Sequence, residues 1–335
     1  MSQMTMTPVQ RRDVLRDDPL AQYSRMLEIR HFEELVNELF AQGEIHGTTH
    51  LCLGQEALAV GIAAELPTDH AVAATYRGHG VALALGMTPQ VVLAEIMGRS
   101  AGCVGGVGGS MHLCDMSVGL LPTSAIIGAG IPIAAGAALA YQTLEEQSVA
   151  VAIFGDGAAN IGAFHEGLNL AAVWKLPVVF VIDNNVYGEY SRIDRTTPFE
   201  DLHLRSASYG IPGVTVDGMD SDLVQDTMRV ALERARNGQG PTLIEAKTYR
   251  FAGHSRADTA PYRPEGELEQ WKKRDPLLVT KQRLLKKGAA SEDQLDQLEA
   301  TIKEELESVL DEVRSLPSPN PAAMFDHIYA EQVSV

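Results

Sequence analysis

An α/β fold, a doubly wound and mostly parallel sheet with helices on both faces, follows from three features of the chain. Two short apolar runs rich in β-branched residues, 149–154 and 178–182, have the length and composition of strands buried on both faces. Between them Phe164, Leu168, Leu170, Ala171 and Trp174 recur at helical spacing and Pro177 follows, so the unit reads strand, helix, strand. Further apolar runs at 71–74, 211–218 and 242–246, with a helical pattern over 221–235, extend the alternation to about four or five strands.

Taken in order, residues 1–20 are polar, mixed in charge and interrupted by Pro8 and Pro19, which predicts a mobile arm or an extension lying on a partner. Leu27, Ile29, Phe32, Leu35, Val36 and Leu39 then predict a packing helix over 23–40, ended by Gly43. A polar loop with His50 precedes a helix carrying Leu58, Val60 and Ile62, and the strand at 71–74 leads into Tyr76 and Arg77. Five glycines between 102 and 109 exclude a helix or central strand; such a loop can cradle phosphate, but without a GK[ST] ending it is weak evidence for a nucleotide. The apolar, Gly- and Ala-rich stretch 125–141 reads as a buried helix, slightly short for a membrane span. Residues 250–267 have no apolar period and read as a loop. Ser291 opens a capping box ahead of the stripe Leu295, Leu298, Ile302, Leu306 and Val309. The core domain is expected over 21–275, with a helical extension over 276–335.

Composition narrows the function. A net charge of -17 without any local basic patch argues against a nucleic-acid partner. Three cysteines, Cys52, Cys103 and Cys114, form neither a CxxC pair nor an even disulfide set, and the N-terminus has no long apolar core, so the cytoplasm is the expected compartment.

The chemistry concentrates where the two central strands end. A right-handed crossover places both ends on one edge of the sheet, the edge at which open α/β sheets bind ligands. The first strand is closed by Gly155-Asp156-Gly157 and the second by Asp183-Asn184-Asn185. Asp156, Asn185 and a main-chain carbonyl from Val186 or Tyr187 would make an oxygen-only set suited to Mg²⁺ or Ca²⁺ and not to zinc. The small residues beside Asp156 let a bulky anion approach the start of the next helix. Either turn alone is ordinary turn chemistry; together, each directly after a strand, they point to a metal that carries phosphate. A non-catalytic Mg-phosphate binding protein, taking a sugar phosphate or nucleotide, is the alternative from a different class.

Gly-Asp-Gly, 26 residues at 158–183, then Asn184-Asn185, resembles the diphosphate-binding motif of thiamine-diphosphate enzymes. The wider segment GDGAANIGAFHEGLNLAAVWKLPVVFVIDNNVYG is similar to the alpha subunit of the first component of 2-oxo acid and acetoin dehydrogenase complexes, and the resemblance runs over about 23–275. It implies the thiamine-diphosphate-binding fold, with thiamine diphosphate and Mg²⁺ as cofactors and Asp156, Asn185 and Tyr187 as metal ligands. TYRGHG is similar to a segment whose tyrosine and arginine hold the diphosphate, hence Tyr76 and Arg77. The main chain of Ala125 and Ile127 would meet the aminopyrimidine, and Gly157, Ala158 and Asn185 would line the diphosphate. HLCLGQEA places His50 on the substrate side, and GHSRAD resembles the segment whose histidine, His254, closes over the cofactor for acyl transfer. Ser255 matches a site phosphorylated in some eukaryotic relatives. The resemblance also implies a separate beta subunit in a heterotetramer of two alpha and two beta chains, and a lipoyl-bearing acyltransferase partner. Asp115-Met116-Ser117-Val118-Gly119, Gly130 and Tyr187-Gly188-Glu189-Tyr190 favour acetoin over pyruvate or a branched-chain 2-oxo acid as substrate.

Overall fold

In the computed structural model residues 6–67 and 69–325 are described; the first five residues of the expected arm and the last ten of the expected extension lie outside them. Helix α1 (Pro8–Asp13) is capped by Thr7, and α2 (Pro19–Gln42) by Asp18, whose carboxylate accepts the N–H groups of Leu20 and Ala21 while Pro19 takes the first turn. Gly43, at φ 78°, ends α2 in the left-handed conformation that glycine adopts without strain. Then come α3 (Glu56–Glu65), β1 (Ala71–Ala73), α4 (His79–Leu85), α5 (Pro89–Ile96), α6 (Gly130–Thr143), β2 (Ala150–Gly155), α7 (Gly162–Trp174) and β3 (Val178–Asn184). A small hairpin, β4 (Tyr187–Gly188) and β5 (Ser191–Arg192), precedes α8 (Ile193–Thr196), β6 (Gly213–Asp217), α9 (Ser221–Arg236) and β7 (Thr242–Lys247). Helices α10 (Glu267–Lys272), α11 (Pro276–Lys287) and α12 (Glu292–Ser315) follow, with a 3₁₀ turn at Pro321–Phe325 after them, and the capping box at Ser291 and Gln294 forms with both of its hydrogen bonds.

Five strands make one parallel sheet in the order β1-β2-β3-β7-β6. Alternation along each strand sends side chains to two separate cores. Val151, Ile153, Val179, Val181 and Ile244 face helices α2 to α5, α9 and α12; Ala152, Phe154, Val178, Phe180 and Leu243 face α6 and α7, with Phe164 at the centre of that layer. The sheet is thus covered on both sides, as a doubly wound fold requires.

Two expectations change. Residues 6–20 are not a free arm: Arg11, Arg12 and Leu15 are buried, Arg11 pairs with Glu28 at 2.6 Å, and Arg12 donates to the Val118 carbonyl at 3.3 Å. Gly86 lies so close that a Cβ there would run into the Pro8 carbonyl. Charge pairing docks this segment, and a polar composition conceals that. Over 125–141 the helix begins only at Gly130 and buries one face, through Ile131, Ala134, Ala135 and Ala138, while Ile133 and Leu139 stay 47% and 37% exposed.

Candidate functional site

The register pairs Gly155 directly with Asp183, so the turns after β2 and β3 leave the sheet side by side. The first continues as a 3₁₀ turn, Asp156–Asn160; the second passes through Asn185 and Val186 into the β4–β5 hairpin. Val186 has φ 76°, a conformation that costs a β-branched residue on the order of 1–3 kcal/mol. It is held there because its N–H donates to the Asn184 amide oxygen at 3.2 Å and its carbonyl accepts the Ile193 N–H at 2.9 Å. The Val186 carbonyl is therefore engaged, and Tyr187 is the stronger of the two main-chain candidates for a cation.

A cavity of about 500 Å³ opens at this edge. Asp156, Gly157 and Ala158 line it from the β2 turn, Asn185 and Tyr187 from the β3 turn, Tyr76 and Arg77 from the end of β1, Ala125 and Ile127 from the segment before α6, and His50 and His254 from two long loops. The residues assigned from the sequence to metal, cofactor and catalysis all line this one space, whereas Gly130, Val186, Tyr190 and Ser255 do not. Gly157 and Gly188 let two backbones pass closely, since a Cβ on Gly157 would sit 3.4 Å from the Gly188 Cα.

Asp156 is only 3% exposed, and no lysine or arginine forms an ion pair with it among the described residues. Burial pushes its carboxyl up to about 7, and the negative charge of Asp183 adds to that. A buried carboxylate of this kind is relieved by a cation. The Asn185 amide oxygen accepts from the Arg250 guanidinium at 3.3 Å and from the Tyr187 N–H at 3.4 Å, both long bonds. Carboxylate, amide oxygen and main-chain carbonyl fit a hard divalent ion, and the Arg77 and Arg250 charges act on this part of the wall, both on Tyr76 and that of Arg250 on Asp156.

At the other end of the cavity three rings cluster. His50 lies 4.3 Å from Tyr76 and 5.0 Å from His254 between ring centroids, and Tyr76 lies 5.8 Å from His254. Burial, then the nearby Arg77 charge, lowers His50 to about 3 and His254 to about 4, so both rings are neutral at physiological pH. The Nδ1 of His50 is buried without a hydrogen-bond partner among the described residues. Arg77 joins the two histidine loops, donating to the Leu51 carbonyl at 2.5 Å and the His254 carbonyl at 2.8 Å. Asp258 shapes the His254 loop from within, accepting the His254 N–H and the Tyr262 hydroxyl, each at 2.6 Å.

Sequence reasoning misses several residues. Asp183, half-buried at the cavity wall, accepts from Gln55 and from the Thr248 hydroxyl, each at 2.5 Å, although its place in Asp-Asn-Asn reads as turn chemistry. Arg250 is completely buried and links Asn185 to the Glu189 carbonyl, at 2.7 Å for the latter; an arginine after a strand carries no local signal of burial. The glycine-rich loop does form an anion nest, but its occupant is the chain's own Glu95. That buried carboxylate accepts the N–H groups of Val104, Gly106, Gly108 and Gly109 at 2.7–3.1 Å.

Comparison with known proteins identifies the family. The family model described as "Dehydrogenase E1 component" matches residues 24–322. The alpha subunit of acetoin:2,6-dichlorophenolindophenol oxidoreductase from Bacillus subtilis (strain 168) is 42% identical over 308 residues, 92% of each chain. Its counterpart of the same name from Cupriavidus necator is 40% identical over 311 residues, 92% of this chain and 93% of that one. The pyruvate dehydrogenase E1 component subunit alpha of Porphyra purpurea is 40% identical over 319 residues, 93% of each. With the parallel sheet, the two paired turns and these relatives together, the chain belongs to the dehydrogenase E1 component family, as an alpha subunit of the thiamine-diphosphate-dependent first components of 2-oxo acid and acetoin dehydrogenase complexes.

Proposed function

We propose that this chain, with a beta subunit, cleaves acetoin and passes the acetyl group to a lipoyl-bearing acyltransferase. The observation that carries the reading is the meeting of Asp156, Asn185, His50 and His254 in one cavity at the sheet edge. Asp156, the Asn185 amide and the Tyr187 carbonyl are assigned to Mg²⁺, Arg77 and the Asp156–Asn160 turn to the diphosphate, and the main chain at Ala125 and Ile127 to the aminopyrimidine. When bound, thiamine diphosphate supplies the carbanion chemistry for carbon–carbon cleavage. The chain's own part is to exclude water, hold the anion and manage protons. Neutral imidazoles at His50 and His254 can each accept a proton from a substrate hydroxyl and return it. Tyr76 fixes the planes of both rings by contact.

The beta subunit is assigned to the apolar face left open on the α6–α7 layer. Ile133 and Leu139 of α6 and Val173 and Trp174 of α7 are exposed there, and Ile126 and Ile127 continue it to the cavity rim. Acetoin is preferred to pyruvate on the strength of the sequence features around 115–130 and the similarity to two acetoin-oxidising subunits.

Turnover of acetoin, pyruvate and branched-chain 2-oxo acids by the chain assembled with its beta partner tests the substrate; inactivity on acetoin with good turnover of pyruvate reverses the preference. Asp156→Ala is expected to lower retention of thiamine diphosphate by about 100-fold, the upper end of what losing even an outer-shell partner of a metal costs, while the circular dichroism spectrum stays that of the wild type. Wild-type retention removes Asp156 from the ligand set. A marked preference for a nucleotide in the same calorimetric titration favours the non-catalytic alternative.

A further inference from the structure

Two segments that are far apart in sequence frame the cavity mouth, and they are fastened to each other at both ends. One is 185–192, which holds Asn185 and Tyr187; the other is 250–266, which holds His254. At the inner end Arg250 bridges them through the Asn185 amide oxygen and the Glu189 carbonyl. At the outer end stands Glu267, the first residue of α10.

Glu267 collects three donors on one carboxylate. One oxygen accepts the Tyr187 hydroxyl at 2.7 Å and the Tyr249 hydroxyl at 2.9 Å; the other pairs with the Arg192 guanidinium. Tyr187 and Arg192 face each other across the β4–β5 hairpin, so both strands of that hairpin end on the same group. On the far side Tyr249 is stacked against Trp271 of α10, with ring centroids 5.2 Å apart and planes within 10°. The Arg263 guanidinium lies over the other part of the Tyr249 environment, 5.0 Å from its centroid, and donates to the carbonyls of Arg250, Phe251 and Ala252. The carboxylate thus lies where the hairpin, the end of the long loop and the strand-end tyrosine converge, with its side chain only 13% exposed.

We propose that Glu267 is a positioning residue that pins the 185–192 segment to the outgoing end of the 250–266 loop, so that the two order together and the His254 loop closes when the cofactor is bound. The inference rests on the assignment of Asn185 and Tyr187 to the cation. A charge-assisted group with three donors holds a hairpin far better than one exposed ion pair, and removing it frees both segments at once. The effect on His254 is indirect, because Glu267 does not line the cavity.

The test uses the full chain assembled with its beta partner. Trypsin cleavage within 250–266, at Arg256 or Arg263, is followed with and without thiamine diphosphate and Mg²⁺, alongside the half-saturating cofactor concentration and kcat. In the wild type the cofactor is expected to slow cleavage at least about tenfold, the ratio of open to closed loop setting the rate. Glu267→Ala is expected to lose most of that protection and to need about tenfold more cofactor for half-saturation, a change of about 1.4 kcal/mol. Glu267→Gln, which keeps an acceptor for the tyrosines, restores part of both. Tyr249→Phe removes one hydroxyl and moves both readings in the same direction by less, and it carries the test if Glu267→Ala does not assemble. Full cofactor protection in the alanine variant, or in Tyr249→Phe should that variant stand in for it, overturns the pin alone. A wild-type enzyme without any cofactor-dependent protection overturns the cation assignment and the pin together.

Discussion

An imidazole packed among guanidinium groups holds a proton poorly, and both rings facing the cavity are in that position. His50 and His254 have folded values of about 3 and about 4 against an ordinary 6.5, because burial and the Arg77 charge disfavour the imidazolium. The unfolded chain therefore binds more protons than the folded one between those values, and the histidines cost stability as pH falls from 6.5 toward 4. Each such group steepens the loss by up to about 1.4 kcal/mol per pH unit. Melting temperatures of the cofactor-free chain between pH 7 and about 4.5 check this: His254→Gln is expected to flatten the decline. A decline as steep as the wild type's places the charged groups responsible elsewhere. At this scale the sequence is a good guide to residues whose turn chemistry is local, such as Asp156 and Asn185. It is a poor guide to Arg250 and Asp183, whose burial depends on segments more than sixty positions away.

Among the elements, the glycine-rich loop is the one whose reading changes most. The glycines read as weak evidence for a phosphate cradle; their backbone N–H groups do form an anion nest, but Glu95 at the end of α5 fills it from inside. Gly102 and Gly106 are required by close approach, since a Cβ on either would strike the backbone of Glu95 or Arg99. The loop then delivers Ser110 to His79, whose other nitrogen lies 3.0 Å from the Glu33 carboxylate. Glu95→Ala leaves four donors without their acceptor and is expected to cost at least about 2 kcal/mol in urea unfolding, with faster hydrogen exchange at 104–109. Glu95→Gln, with one acceptor oxygen left, falls between. An unchanged midpoint shows that water satisfies those amides equally well. Helix α6 gives a related contrast: its small and apolar residues read as burial, yet only the face with Ile131, Ala134, Ala135 and Ala138 is buried.

For the whole molecule, assigning the beta subunit to the open α6–α7 face is a proposal that mutation can check. Val173 is 67% exposed and Trp174 46%, at the end of α7 away from the cavity, while Ile126 and Ile127 line the cavity itself. Val173→Asp is expected to weaken association with the beta subunit by at least about tenfold, read by sedimentation velocity, while the isolated chain's stability stays within about 0.5 kcal/mol. Association at wild-type strength moves the partner to another face.

The chain's own pattern of apolar runs determined the alternation of strands and helices, because strand length and helical spacing are local properties that tolerate many tertiary settings. It determined too that a carboxylate and an amide would close two strands, since those turns need such residues wherever the strands lie. Only the tertiary structure decided that residues 6–20 are docked through Arg11 and Glu28, that Glu95 occupies the nest, and that Arg250 and Glu267 tie two distant loops together. The reason is that a buried charge is specified by its partner, and the partner is brought by the packing of segments whose separation no local pattern encodes.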